Sequence, residues 1–176
     1  MSLLDKKIEN YNFEWEKGRF GNPSSKAMIE ADGKIMGRLQ TKGFITKTTS
    51  LSDENDRILI SSIKKHTIGD RYQVENSDGK FLGNVNCKIS FTSRNPIATL
   101  KNEYGKEVLY INYISKQDGL YDVKTNVEKT IADFTLYYDS NCNSQLLMKD
   151  LEFDREKLFA IVISFFSSRY DYTTGG

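Results

Sequence analysis

The sequence predicts a mainly β protein: a closed antiparallel barrel with one hydrophobic helix, near its C-terminus, running through the lumen. Three observations lead there. Short runs rich in β-branched and aromatic residues recur between glycine-centred turns. A turn pattern, Asp-Gly-Lys followed by two apolar residues and a second Gly, occurs twice. Residues 158–166 are apolar at every position but Ser164, unlike anything before them. The 176 residues suit one domain spanning 1–176.

From the start of the chain, Leu4, Ile8 and Tyr11 fall at helical spacing, so residues 1–11 read as a short helix or an N-terminal arm. Met1 to Lys7 contain no apolar stretch of the ~7–15 residues that a secretory signal needs. A cytoplasmic protein is the expectation. Ser24-Ser25 and the stretch 49–56 read as polar loops, the second long enough to move. Strand runs follow at 57–63, 71–75 and 108–114. In the last, alternation sets Leu109, Ile111 and Tyr113 on one face and Val108, Tyr110, Asn112 and Ile114 on the other.

The turns are built on glycine, since the chain has 12 Gly and only 2 Pro. Ala31-Asp32-Gly33-Lys34-Ile35-Met36-Gly37 is matched by Ser77-Asp78-Gly79-Lys80-Phe81-Leu82-Gly83, and more loosely by Glu103-Tyr104-Gly105-Lys106. Asp-Gly between apolar runs signals a hairpin, because the tight turn needs positive φ. The second Gly fits a bulge or bend in the following strand. Lys124–Lys129 is a further polar connection, between strand runs at 119–123 and 130–138. Turns this closely spaced give a meander, which closes as a barrel or folds as a sandwich.

Residues 153–168 decide between them. Asp154 fits an N-cap, Phe153 and Leu158 fit a hydrophobic staple across it, and Glu156 sits at the positive end of the dipole. A buried strand would explain Ile161-Val162-Ile163 but not these start signals, so a helix over 154–167 is predicted. With no polar face, this helix must be surrounded by protein or lipid. Its nine-residue apolar run spans roughly 14 Å, too short for a bilayer core of about 30 Å. Burial within a barrel follows, with Arg169–Thr173 as a final strand or exit segment.

These residues, the Asp-Gly hairpins and the capped apolar helix with its aromatic-acidic continuation to Asp171, resemble the tubby-like superfamily, which includes phospholipid scramblases and LURP-one-related proteins. The match is strongest over Asp154–Asp171, then over Tyr72–Gly79, and extends across most of Tyr11–Tyr172. The resemblance implies about twelve strands around a central helix. It also implies a non-enzymatic, often membrane-linked role: phosphoinositide binding in tubby proteins, proposed lipid translocation in scramblases. Scramblase-like proteins carry a proposed calcium-binding segment just before this helix. Here Asp139, Asn141, Asn143 and Asp150 occupy loop positions 1, 3, 5 and 12. Ser144 stands where the turn glycine belongs, and only two carboxylates remain, so calcium is a candidate cofactor of low affinity and no other is expected.

The charges nearly cancel, 25 basic against 24 acidic, which excludes a globally basic nucleic-acid protein and leaves a local patch open. Arg38, Lys42, Lys64 and Lys65 are the candidates for contact with anionic lipid, set against the commoner reading of charges on a solvated strand face. His66 is the only histidine and lies beside two lysines, and neither a nucleophile elbow nor a phosphate loop is present. Cys87 and Cys142 are expected as reduced, partly buried thiols. The expected function is a non-enzymatic binding module, cytoplasmic or peripheral at a membrane. The alternatives are a structural or protein-interaction domain and a lipocalin-like carrier.

Overall fold

A computed structural model describes residues 1–17, 23–43, 46–65, 69–88, 94–136 and 143–173. Twelve strands run in chain order: β1 (Asn10–Lys17), β2 (Pro23–Ala31), β3 (Lys34–Lys42), β4 (Thr48–Asp53), β5 (Ile58–Lys64) and β6 (Asp70–Asn76) come first. Then follow β7 (Phe81–Cys87), β8 (Ala98–Lys101), β9 (Glu107–Ser115), β10 (Leu120–Thr125), β11 (Thr130–Thr135) and β12 (Ser144–Met148). Each pairs antiparallel with the next, and β12 closes on β1 from Asn10↔Leu147 to Phe13↔Ser144. The chain ends in a helix, α1 (Arg155–Thr173).

Strict up-and-down order gives the barrel two ends. At the hairpin end, β2–β3, β4–β5, β6–β7, β8–β9 and β10–β11 are joined by tight turns. The opposite end is the rim. Four of the five turns share one design. Asp53, Asn76 and Asn102 each accept two backbone amides, two and four residues on, at 3.0 Å. Thr125 accepts one, from Lys129 at 3.3 Å. The fourth residue of each turn takes positive φ: Asp56 (62°), Gly79 (75°), Gly105 (74°) and Glu128 (62°). A side chain that mimics a backbone turn thus sets the hairpin, whether or not glycine follows. The β2–β3 turn is different, a two-residue turn at Asp32-Gly33 with both φ positive.

What the two Asp-Gly copies do share is the second glycine. The register slips between Ile29 and Glu30, opposite Gly37, and between Val74 and Glu75, opposite Gly83. Each bulge turns two successive residues, Met36-Gly37 and Leu82-Gly83, toward the core. A Cβ on Gly37 would run into the Ser52 carbonyl oxygen. One on Gly83 would lie 2.5 Å from Leu100 Cδ1.

α1 fills the lumen. Leu158 to Ile163, Phe165 and Phe166 are at most 1% exposed. The helix backbone approaches β2 and β4 to β9. Its rings reach the remaining arc: Phe159 meets Tyr11 of β1 edge-on, and Phe165 and Phe166 meet Phe134 of β11. Full burial of each such side chain is worth roughly 1.5–3 kcal/mol. Ser164, the polar residue in the run, donates to the Ala160 carbonyl at 2.7 Å and accepts from Ser62 of β5 at 2.7 Å. The start signals act as expected: Asp154 Oδ1 accepts the amides of Glu156 and Lys157.

Three expectations about elements need correction. The helix extends to Thr173 instead of 167, absorbing the segment expected as a final strand or exit segment, because no Gly or Pro interrupts 155–173. Ser24-Ser25 and Thr49–Asp53 are strand, not loop. Leu51 is fully buried, and Thr49 satisfies its hydroxyl on Thr41 at 2.8 Å, so a polar-looking run still has an inner face. Residues 1–11 form neither a helix nor a loose arm: β1 begins at Asn10, and Leu3 and Ile8 are buried. Arg155, itself 3% exposed, clamps this segment by donating to the Lys6 and Ile8 carbonyls at 3.0 and 3.1 Å.

Candidate functional site

Because α1 occupies the lumen, the grooves described here lie on the outer surface. The basic one, about 430 Å³, is lined by Lys65, Arg71, Tyr72, Asn84, Asn86 and Lys101. Its floor follows from strand register. Arg71 of β6 pairs with Asn86 of β7, and Asn84 pairs with Lys101 of β8. Alternation points all four outward, and cross-strand neighbours sit about 5 Å apart. Lys65 joins them from just beyond β5, its amide bonded to the Arg71 carbonyl at 3.1 Å. Lys101 reaches Glu107 at 3.8 Å, whereas Lys65 and Arg71 make no ion pair among the described residues. Three cations and two carboxamides within one groove form a donor-rich surface suited to a phosphate.

A second groove, about 490 Å³, has the opposite character. Glu107, Asp122 and Glu128 line it with Tyr110, Asn112 and Lys124. Its charges are satisfied internally: Asp122 accepts from Asn112 at 3.0 Å, and Lys124 stands 3.6 Å from Asp122 and 3.8 Å from Glu128.

The four residues expected to meet anionic lipid do not form one patch. Lys64 is turned inward by β5 alternation. Its side chain is 14% exposed and lies 3.2 Å from Asp70, so it belongs to the interior and not to a lipid-facing surface. Asp70 also accepts from Ser168 of α1 at 2.9 Å, tying the helix to β6. Desolvation, then the neighbouring Lys64 charge, hold the Lys47 ammonium below its usual pKa here, against the pull of Asp70. Arg38 lies on β3 and pairs with Asp56 at 2.8 Å. Lys42 and Lys65 remain, both exposed at the rim and two strands apart, roughly 10 Å.

The calcium arrangement does not assemble. Asp139 and Asn141 lie outside the described residues. Asn143 and Asp150 stand at opposite ends of β12, separated by roughly 20 Å of extended chain, so they cannot share an ion. Asp150 is bound instead by Lys129 at 2.6 Å. Among the described residues, no three His, Cys, Asp or Glu are grouped to hold a metal. His66 and Cys142 also lie outside the described residues. Cys87 is free and buried, and burial, with Asp70 nearby, pushes its thiol up to about 12.

Sequence reading found Lys65 but missed Arg71, Asn84, Asn86 and Lys101. The polar positions of Arg71-Tyr72-Gln73 and Asn84-Val85-Asn86 carry a period-two signal that marks them as outward. Their mutual placement needs the bulge at Leu82-Gly83 and the β7–β8 register.

Fold and surface together define a class: a helix-filled, twelve-stranded up-and-down barrel with charged grooves on its outer surface. No family model matches the chain, and no curated protein matches it. Among solved structures, it is similar to an Arabidopsis thaliana protein determined by X-ray crystallography. The TM-score is 0.62 at 12% identity, covering 95% of this chain and 98% of that one. At that identity the likeness speaks for the fold alone.

Proposed function

We propose that this chain is a tubby-like, non-enzymatic module that binds phosphate-bearing lipid headgroups at a membrane surface. The observation that carries this reading is the groove of Lys65, Arg71, Asn84, Asn86 and Lys101, where five donor side chains face solvent and Lys65 and Arg71 make no ion pair among the described residues. The helix-filled barrel supports the tubby-like assignment and weighs against a carrier, since a lumen ligand would have to displace α1. Membrane contact on this reading is peripheral. No helix among the described residues is long and apolar enough to cross a membrane. The outward positions of the strands, such as Glu14, Glu30, Arg38 and Arg71, do not supply the apolar band of a membrane barrel.

The test is sedimentation with phosphatidylcholine vesicles, with and without an anionic phosphate lipid. Salt-sensitive binding to the anionic vesicles alone is expected, weakened in an Arg71→Gln/Lys101→Gln variant by roughly tenfold or more, about fivefold per cation. Binding that is absent, or indifferent to this double substitution, refutes the reading.

A further inference from the structure

Beyond the groove, the charges are segregated along the barrel axis, which a net charge of +1 conceals. Every odd strand from β1 to β9 ends at the rim in lysine, or is followed by one: Lys17, Lys42, Lys65 (after the inward Lys64), Lys88 and Lys116. Arg94, just before β8, adds a sixth exposed cation. The only exposed described acids at this rim are Glu16 and Asp118, since Asp70 is buried against Lys64.

The hairpin end also carries cations, but acids balance or outnumber them in each turn. Lys34 is accompanied by Asp32, Lys80 by Asp78 and Lys106 by Glu103. Arg57 is held by Asp53 at 3.1 Å between Glu54 and Asp56, and Lys129 is held by Asp150. Among the described residues, one end of the barrel is therefore positive and the other neutral to negative.

The rim lysines sit on strand ends, so the barrel itself sets their spacing. Twelve strands about 4.8 Å apart, tilted as barrels require, give a ring roughly 24 Å across. Cations spread around such a ring match an extended planar array of anions better than one small ligand. We infer that the protein docks end-on: the lysine rim lies against an anionic bilayer, with the groove at its edge and the hairpin end facing away. This rests on the membrane reading above and adds the orientation. Each cation near an anionic surface contributes about fivefold in affinity, and the charge asymmetry turns the correct end toward it.

Two variants with equal change in net charge separate the possibilities, and neither touches the groove. One carries Lys17→Glu, Lys42→Glu and Lys88→Glu at the rim. The other carries Lys34→Glu, Lys80→Glu and Lys106→Glu at the hairpin end. All six side chains are exposed. Thermal melts check folding, and a Lys→Gln version of either set replaces it if it fails to fold. The probe is phosphatidylcholine vesicles with about 30% phosphatidylserine at low ionic strength. End-on docking predicts a loss of at least about a hundredfold for the rim set and less than about threefold for the hairpin set. Equal loss in both sets overturns the orientation while leaving membrane binding intact. Wild type that fails to bind removes the membrane reading itself. Binding to soluble DNA as tight as to vesicles overturns the bilayer as partner.

Discussion

Phe166→Ala tests the central feature of the fold, a helix held by rings on the barrel wall. Phe166 is 1% exposed and meets three rings edge-on: Phe13 at 5.2 Å, Trp15 at 5.4 Å and Phe134 at 6.0 Å. These belong to β1 and β11, which flank β12, so the ring is wedged against the strands that close the barrel. Truncating a buried Phe to Ala costs about 3–5 kcal/mol, transfer and cavity together, because such a site collapses only partly. Lost ring–ring geometry places this site toward the upper end of that range. Against a total of roughly 5–15 kcal/mol, that is a large fraction of the stability. Urea unfolding followed by Trp15 fluorescence reads it directly, since Trp15 is the only tryptophan, touches Phe166 and donates to Ser144 at 2.9 Å. The midpoint should fall with an unchanged slope, Tm should drop by about 10 °C, and the native emission should shift even before unfolding. A loss below about 1 kcal/mol with unaltered Trp15 emission would refute a helix packed inside the lumen.

The bulge glycines and the buried thiol give two further expectations. Gly83→Ala should cost about 2 kcal/mol or more, because φ is 152° and the new Cβ meets Leu100 Cδ1 at 2.5 Å and the Lys101 carbonyl oxygen at 2.7 Å. Gly79→Ala, with open space around it, should cost only about 1–2 kcal/mol of backbone strain. Equal urea midpoints for the two variants would contradict the close approach at Gly83. For Cys87, burial raises the thiol to about 12 from an unfolded value near 8.5. The stability from keeping it neutral is complete below about pH 8.5 and is lost as pH rises toward 12. Wild type should therefore lose more stability than Cys87→Ala between pH 8 and pH 10.5, approximately, when urea midpoints are compared. In a Cys142→Ser background, Cys87 should react with a thiol reagent only as urea opens the barrel. Prompt labelling of the native protein would show that it is not buried.

Features encoded within a few residues were legible in the sequence. Asp154, Phe153 and Leu158 mark the helix start because capping is a local matter of one side chain and the next few amides. The alternation at 108–114 told inside from outside for β9, with Leu109 and Ile111 buried and Ile114 exposed. The asparagine- and aspartate-led turns at 53, 76 and 102 are equally local. Polarity alone marks the glycine-free connections at 53–56 and 125–128, and it does not single out Asp56 and Glu128 as the residues that take positive φ. Ser24-Ser25 at the start of β2 and the run 49–53 of β4 look like loop in sequence, because in β4 the serines and threonines hide an inner face that Thr49 fills by bonding to Thr41.

The groove was not legible, because register across β6, β7 and β8 depends on a bulge and on a connection that no single segment specifies. Lys64 and Lys65 show the same limit. They are adjacent and chemically identical in sequence, yet the pleat sends one toward buried Asp70 and the other into solvent.

By itself, then, the sequence determined a barrel of glycine-rich hairpins around one apolar helix, since hydrophobic periodicity and capping act over short range. Only the tertiary structure decided which cations share a surface. Closing an up-and-down barrel carries the ends of alternate strands, far apart in the chain, to one rim, and it is there that scattered lysines become a charged face.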